Sequence, residues 1–217
     1  MKRKIIYILT ALISIVLFYG TFIKTPIAIA NNSSPSPETQ QTAPLLRNLG
    51  AYHHQITTKS ELQQATQELE ELRKIAEYPS LEKVTIWNIN SAANLMQIAS
   101  QALAGEIAAK QGDYIKAIDH LNRGVALEDK LNYDEPATWY SPVRHLLGAV
   151  LLAANCPADA EKVYRKDLKH YPENSWSLFG LAQSLNMQGK TKEAEEIQQQ
   201  FETTWKHADV KLVASQF

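Results

Sequence analysis

Three places in the chain set side by side residue types that could do chemistry: His53 with His54, Asp134 with Glu135 in the stretch NYDEPATWY, and Arg144 with His145 just beyond it. Imidazoles are metal ligands, but adjacent histidines diverge. No Cys, Asp or Glu follows His53-His54 at a ligand spacing. His120, His145, His170 and His207 fall in separate stretches with no nucleophile placed beside them. Paired carboxylates such as Asp134 and Glu135 can share acid–base work. They can equally cap a helix, here one expected to begin near Thr138. Cys156 is the only cysteine, so no intramolecular disulfide can form and an apolar core must carry the fold. No metal or cofactor is expected on this pattern. An enzymatic or metal-binding reading would have to use Arg144, His145 and the acidic loop 131–140.

The elements that must position these residues begin after an export signal. Lys2, Arg3 and Lys4 precede an apolar run from Ile5 to Ile23, and Ala28-x-Ala30 supplies the small residues of a cleavage site. Residues 1–30 therefore read as a signal peptide, or as an N-terminal membrane anchor if uncleaved. The expected location is periplasmic or otherwise extracytoplasmic. Four of the 22 basic side chains (Lys2, Arg3, Lys4, Lys24) lie in that segment. Its removal leaves 18 against 23 acidic ones, a formal charge of −5, which disfavours nucleic acid as a partner. Residues 31–46 are polar and proline-rich and read as a disordered linker.

From Ser60 onward the period is helical. Leu62, Ala65, Leu69, Leu72, Ile75 and Ala76 recur on one face. Further amphipathic stretches are expected at about 91–111, 114–131, 139–154, 157–170, 174–188 and 191–206. Gly112, Asn155 and Gly189 fall in the turns, and Pro157 stands at a first helical position. No stretch alternates as a strand would, so the fold class expected is all-α. The N-terminal helical segment would span 47–90, the repeat domain 91–210 and a tail 211–217.

The paired helices repeat. Leu147-Gly148, Ala160 and Pro172 recur 34 residues later as Leu181-Ala182, Ala194 and Lys206. The middle pair reads Arg144-x2-Leu147-Gly148-x2-Leu151, then Ala160-x3-Tyr164, then Pro172; the first reads Gln101-x2-Ala104-Gly105-x2-Ala108, then Ala117-x3-Leu121. This pattern resembles the tetratricopeptide repeat. The wording around YDEPATWYSPVR and NSWSLFGLAQSL also resembles the C-terminal part of longer bacterial multi-repeat proteins of that family. Leu49-Gly50, His53-His54 and Ile56-Thr57-Thr58 resemble their N-terminal stretch. The resemblance implies an α-solenoid of about three helical hairpins behind an N-terminal helix, with residues 131–140 as an insertion between the first two.

It also implies where things sit. Gly105, Gly148 and Ala182 would mark the helix crossings, faced by Ala117, Ala160 and Ala194. Arg144 and Asp167 replace residues that the repeat keeps apolar or small, so the two are expected to pair; failing that, Arg144 would reach Asp134 or Glu135. A non-enzymatic interaction scaffold would hold a partner's peptide or helix on the inner face of the first helices. That face would present Glu106 and Lys110 in the first repeat, His145 and Ala149 in the second. The third would add Trp176, Phe179, Gln183 and Met187. Two outcomes are open for these aromatics: they anchor the partner, or the chain's own helices and the tail from Val210 cover them.

Overall fold

The structure, a computed structural model, describes residues 59–215. The expected signal segment, the linker, His53-His54 and the last two residues lie outside that range. The chain divides into two compact units, of which the first contains, among the described residues, 59–100 and 131–140, and the second 101–130 and 141–215.

The first unit opens with α1 (Lys59–Ala76), whose Ala65, Leu69, Leu72 and Ile75 are buried, the face the periodicity predicts. Pro79 starts a short 3₁₀ turn, Pro79–Lys83, and buries Leu81. A hairpin follows that the sequence does not announce: β1 (Thr85–Ile86) pairs antiparallel with β2 (Asn90–Ser91). Two residues per strand are too few for alternation to be read. Trp87 and Asn88, both with positive φ, make the turn. The insertion docks on this hairpin through Asn90, which is 2% exposed. Its side-chain amide donates to the Asn132 carbonyl (3.0 Å) and the Thr138 hydroxyl (3.1 Å), and its oxygen accepts from the Asn132 N–H (2.8 Å). A buried amide left unpaired would be costly, so this reciprocal set fixes the loop.

The second unit takes the latter part of α2 (Ala92–Lys110) and all of α3 (Tyr114–Glu128), α4 (Val143–Ala153), α5 (Pro157–His170), α6 (Ser175–Met187) and α7 (Thr191–Trp205). Helix boundaries recur in register. The three tight turns each carry one left-handed residue, Gly112 (φ 79°), Asn155 (φ 57°) and Gly189 (φ 73°), spaced 43 and then 34 residues apart. Glycine pays nothing for that conformation and asparagine little. Neighbours pack in order: α3 on α4, α4 on α5, α5 on α6, α6 on α7, and α4 also meets α6. Ala117, Ala160 and Ala194 have essentially no exposed surface. A Cβ on Gly105 would collide with Leu121 and crowd the Ala117 carbonyl, the close crossing expected there. A Cβ on Gly148 would collide first with the Tyr164 ring, and one on Gly180 would meet the same ring. Among the described residues the regular structure is predominantly helical, and the helices of the second unit pack in sequence.

Helix α4 begins at Val143, not near Thr138. Pro142 precedes it, and a proline cannot lend its N–H to an earlier turn. Asp134 accordingly caps no helix there; it accepts from the Thr138 hydroxyl within the loop at 2.6 Å. The cap of α4 comes from elsewhere: the Glu128 carboxylate accepts from the Val143 N–H at 2.9 Å, meeting one of the unpaired donors at a helix start.

Candidate functional site

Around the start of α4 the second unit gathers its buried polar groups. Arg144 is 6% exposed, and its Nη2 donates to both oxygens of Asp129 at 2.6 Å. The expected Arg144–Asp167 pair is therefore not formed, and neither is the fallback to the acidic loop. Asp129 follows the end of α3, beside the first turn of α4, so a long guanidinium stem reaches it directly. Lys166 of α5 adds a second cation at 3.1 Å. Burial raises the Asp129 carboxyl, but the hydrogen bonds from Arg144 and Lys166 outweigh it and hold the group below the usual carboxylate range.

Asp167, 1% exposed, is served by α6 instead. Ser177 Oγ donates to its Oδ2 at 2.6 Å and Asn174 Nδ2 at 3.2 Å. Asn174 is the N-cap of α6, its Oδ1 accepting from the Trp176 N–H at 3.1 Å. That orientation turns Nδ2 toward His145 Nε2, 2.9 Å away. His145 Nε2 thus lies within reach of both the Asn174 amide and, at 3.3 Å, Asp167 Oδ2. Arg144 and His145, on which a catalytic or metal-binding reading rests, are thus committed to structural partners, and Asp134 and Glu135 belong to the other unit. Among the described residues no group of three or more His, Cys, Asp or Glu is placed to hold a metal ion.

Glu128 stands apart electrostatically. Burial pushes its carboxyl up to about 7, against the pull of the Val143 N–H and Arg144 and with the push of Asp167 and Asp129. The residue as a whole is only half-buried; its carboxylate end is the enclosed part.

The residues expected to line a groove divide. Glu106 and His145 are buried, Lys110 is exposed, Ala149 and Gln183 are half-buried, and Met187 is 48% exposed. Trp176 and Phe179 are both half-buried against a cluster of Leu178, Phe201 and Leu212. Trp176 meets Trp205 edge-on at 5.6 Å, and Phe179 meets Phe201 at 5.4 Å. These are favoured aromatic geometries.

Leu212 belongs to the tail, which lies across the unit. Trp205 Nε1 donates to the Val210 carbonyl at 2.8 Å and turns the chain back. Leu212 then enters the cluster on α6 and α7. Ser215, 1% exposed, donates to the His145 carbonyl of α4 at 3.3 Å and shares a short hydrogen bond with the Tyr164 hydroxyl. Since a serine has one proton, the arrangement that satisfies all three atoms runs from Tyr164 to Ser215 to the His145 carbonyl.

Of the residues that build this site, Tyr164 enters the sequence reading only as part of the repeat pattern, and Leu212 and Ser215 only within the tail from Val210 that was one of the two outcomes open for Trp176 and Phe179. A signal existed for the first. Tyr164 stands where the repeat pattern has Phe, and a hydroxyl at a core position requires a partner. Leu212 and Ser215 follow α7 in a stretch without periodicity, so their burial has no local mark. No protein-family model matches the chain, and no curated protein matches it.

Proposed function

We propose that the chain is an exported tetratricopeptide-type scaffold with no catalytic role, and that the faces of α4 and α6 hold a peptide of a partner protein. The three hairpins α2–α3, α4–α5 and α6–α7 are its repeats. Their left-handed turn residues keep the 43- and 34-residue spacing that an inserted loop followed by a regular repeat requires. The observation that carries the reading is the tail: a non-helical segment lies across α6 and α4, with one apolar side chain anchored and one hydroxyl hydrogen-bonded. Stacked helical hairpins offer such a face to extended ligands. Outside the cytoplasm the scaffold is either free, after cleavage behind Ala30, or tethered by its N-terminal segment. Among the described residues no helix is long and apolar enough to cross a membrane.

A photocrosslinking amino acid at Gln183, half-buried on α6, tests this against the same group at Lys162, exposed on α5. In the native envelope the Gln183 position should yield a crosslink mapping to one short segment of one protein, and the Lys162 position none. Equal labelling from both positions would remove the peptide-binding reading. Intact mass of the envelope protein tests export: a mature chain beginning at Asn31 is expected, and a species retaining residues 1–30 would be the tethered form.

A further inference from the structure

We propose that the strip beneath Leu212–Ser215 is the peptide site itself, and that it selects an extended segment with a large aliphatic side chain followed three residues later by a serine. The chain's own tail is its resident occupant and must be displaced. This rests on the scaffold reading and specifies its ligand.

The tail behaves as a ligand would. Lys211 is exposed, Leu212 is 7% exposed, Val213 is 86% exposed and Ser215 is 1% exposed. Two side chains three residues apart therefore do the anchoring, while of the two between them Val213 points to solvent and Ala214 is half-buried. No helix includes this segment, so its backbone is not committed to internal hydrogen bonds and a second extended peptide could take its place.

The receiving surface is built rather than incidental. The Tyr164 ring has no exposed surface and occupies a slot that exists because residues 148 and 180 both lack a Cβ. That slot fixes the phenolic hydroxyl as a donor beside the His145 carbonyl acceptor. A serine hydroxyl satisfies both at once; an apolar residue at that position would leave the buried phenol unpaired, which sets a strong preference. The aliphatic anchor reads a different surface, Leu178 and Phe201 with Trp176, Phe179 and Trp205 around them. One buried leucine and one hydroxyl are a small holding force for a tethered segment. A partner with the same two anchors and further contacts would displace it.

The test uses the full chain, its Leu212→Ala/Ser215→Ala variant and, as probe, a fluorescent ten-residue peptide with the sequence of residues 208–217. The variant should bind the probe at least tenfold more tightly than the parent, whose tail competes. A control peptide with alanine at both anchors should bind neither protein, and adding Tyr164→Phe to the variant should weaken the probe about tenfold. Equal probe affinity for parent and variant, or no binding to the variant, overturns the proposal. So does loss of a cooperative thermal transition in the variant, which would make the tail part of the core. A parent dimer whose dissociation tracks probe binding would assign the strip to a second copy's tail and also overturn it. Specific crosslinking at Gln183 together with any of these failures would leave the scaffold reading standing and remove only this one.

Discussion

The Tyr164 ring lies between Gly148 of α4 and Gly180 of α6, and a Cβ at either position would come within 3 Å of it. A buried ring cannot yield as the end of a lysine can, so space at these two positions is set by one side chain on α5. Alanine at residue 180 would gain up to about 1 kcal/mol of helix propensity. Overpacking against the ring should cost about 1–3 kcal/mol. We expect Gly180→Ala to destabilise by about 1–2 kcal/mol in urea unfolding. In a Tyr164→Leu background the same change should be neutral or stabilising, because the propensity gain remains and the clash is gone. A cycle showing additive effects would mean that the ring does not set the crossing. The Arg144 result teaches a related lesson at this scale. Pattern alone marked Arg144 and Asp167 as two polar departures in a core, and both are buried. Which residue each would meet depended on neighbours one position away: Asp129 beyond α3, and Ser177 and Asn174 on α6.

Helix ends are where the sequence was least legible, and two carboxylates that tie one helix to the start of another carry opposite pH dependences. The bodies of the seven described helices follow from periodicity and from Gly112, Asn155, Pro157 and Gly189. The start of α4 does not, because its cap is Glu128, on the preceding helix and across the inserted loop. The docking of that loop through Asn90 and the short hairpin beneath it are equally non-local. Burial raises the folded pKa of Glu128 to about 7 from its ordinary value of 4.5. Its contribution is full below about 4.5 and is lost as pH rises through 7, amounting to about 3 kcal/mol. Glu128→Gln keeps an acceptor for Val143 and should remove this loss, so the variant is expected to exceed the parent in stability at pH 8 and to match it near pH 4.

Glu161 works the other way. The hydrogen bond from Lys190 first, and those from Arg165 and Gln188 against a smaller burial effect, hold its carboxyl at about 2. It ties α5 to the turn before α7 at 2.7 Å from Lys190 and 2.8 Å from both Arg165 and Gln188. This contribution is present above about 4.5 and disappears as pH falls through 2. The partner cations are 40% and 43% exposed, so solvent screening limits the cost of Glu161→Ala at pH 7 to about 1 kcal/mol. Chemical denaturation of both variants between pH 3 and 8 checks the two slopes together.

Across the whole second unit each hairpin packs chiefly on its neighbours, so stability should be distributed along the row rather than held in one centre. Among the described residues the last hairpin has helices on one side only. Helix α6 meets α5 and α4, and α7 packs on α6; beyond α7 comes the tail, through Trp205, Leu212 and Phe201. End elements of such a row open at lower free energy than interior ones. Hydrogen exchange at neutral pH should therefore show α7 exchanging before α4 and α5, whose amides surround Tyr164 and Asp167. Leu212→Ala removes the tail's apolar anchor, a loss of about 2 kcal/mol. If stability is local in this way, exchange should accelerate in α6 and α7 while α3 and α4 keep the parent's rates. Uniform acceleration throughout the unit would instead mean one all-or-none core, in which the hairpins are not separable elements, and would count against treating them as repeats. Slow exchange confined to α4 and α5 in both proteins is the expected pattern, because only there do buried polar contacts reach helices on both sides: Arg144 to Asp129 after α3, and Asp167 to Asn174 and Ser177 of α6.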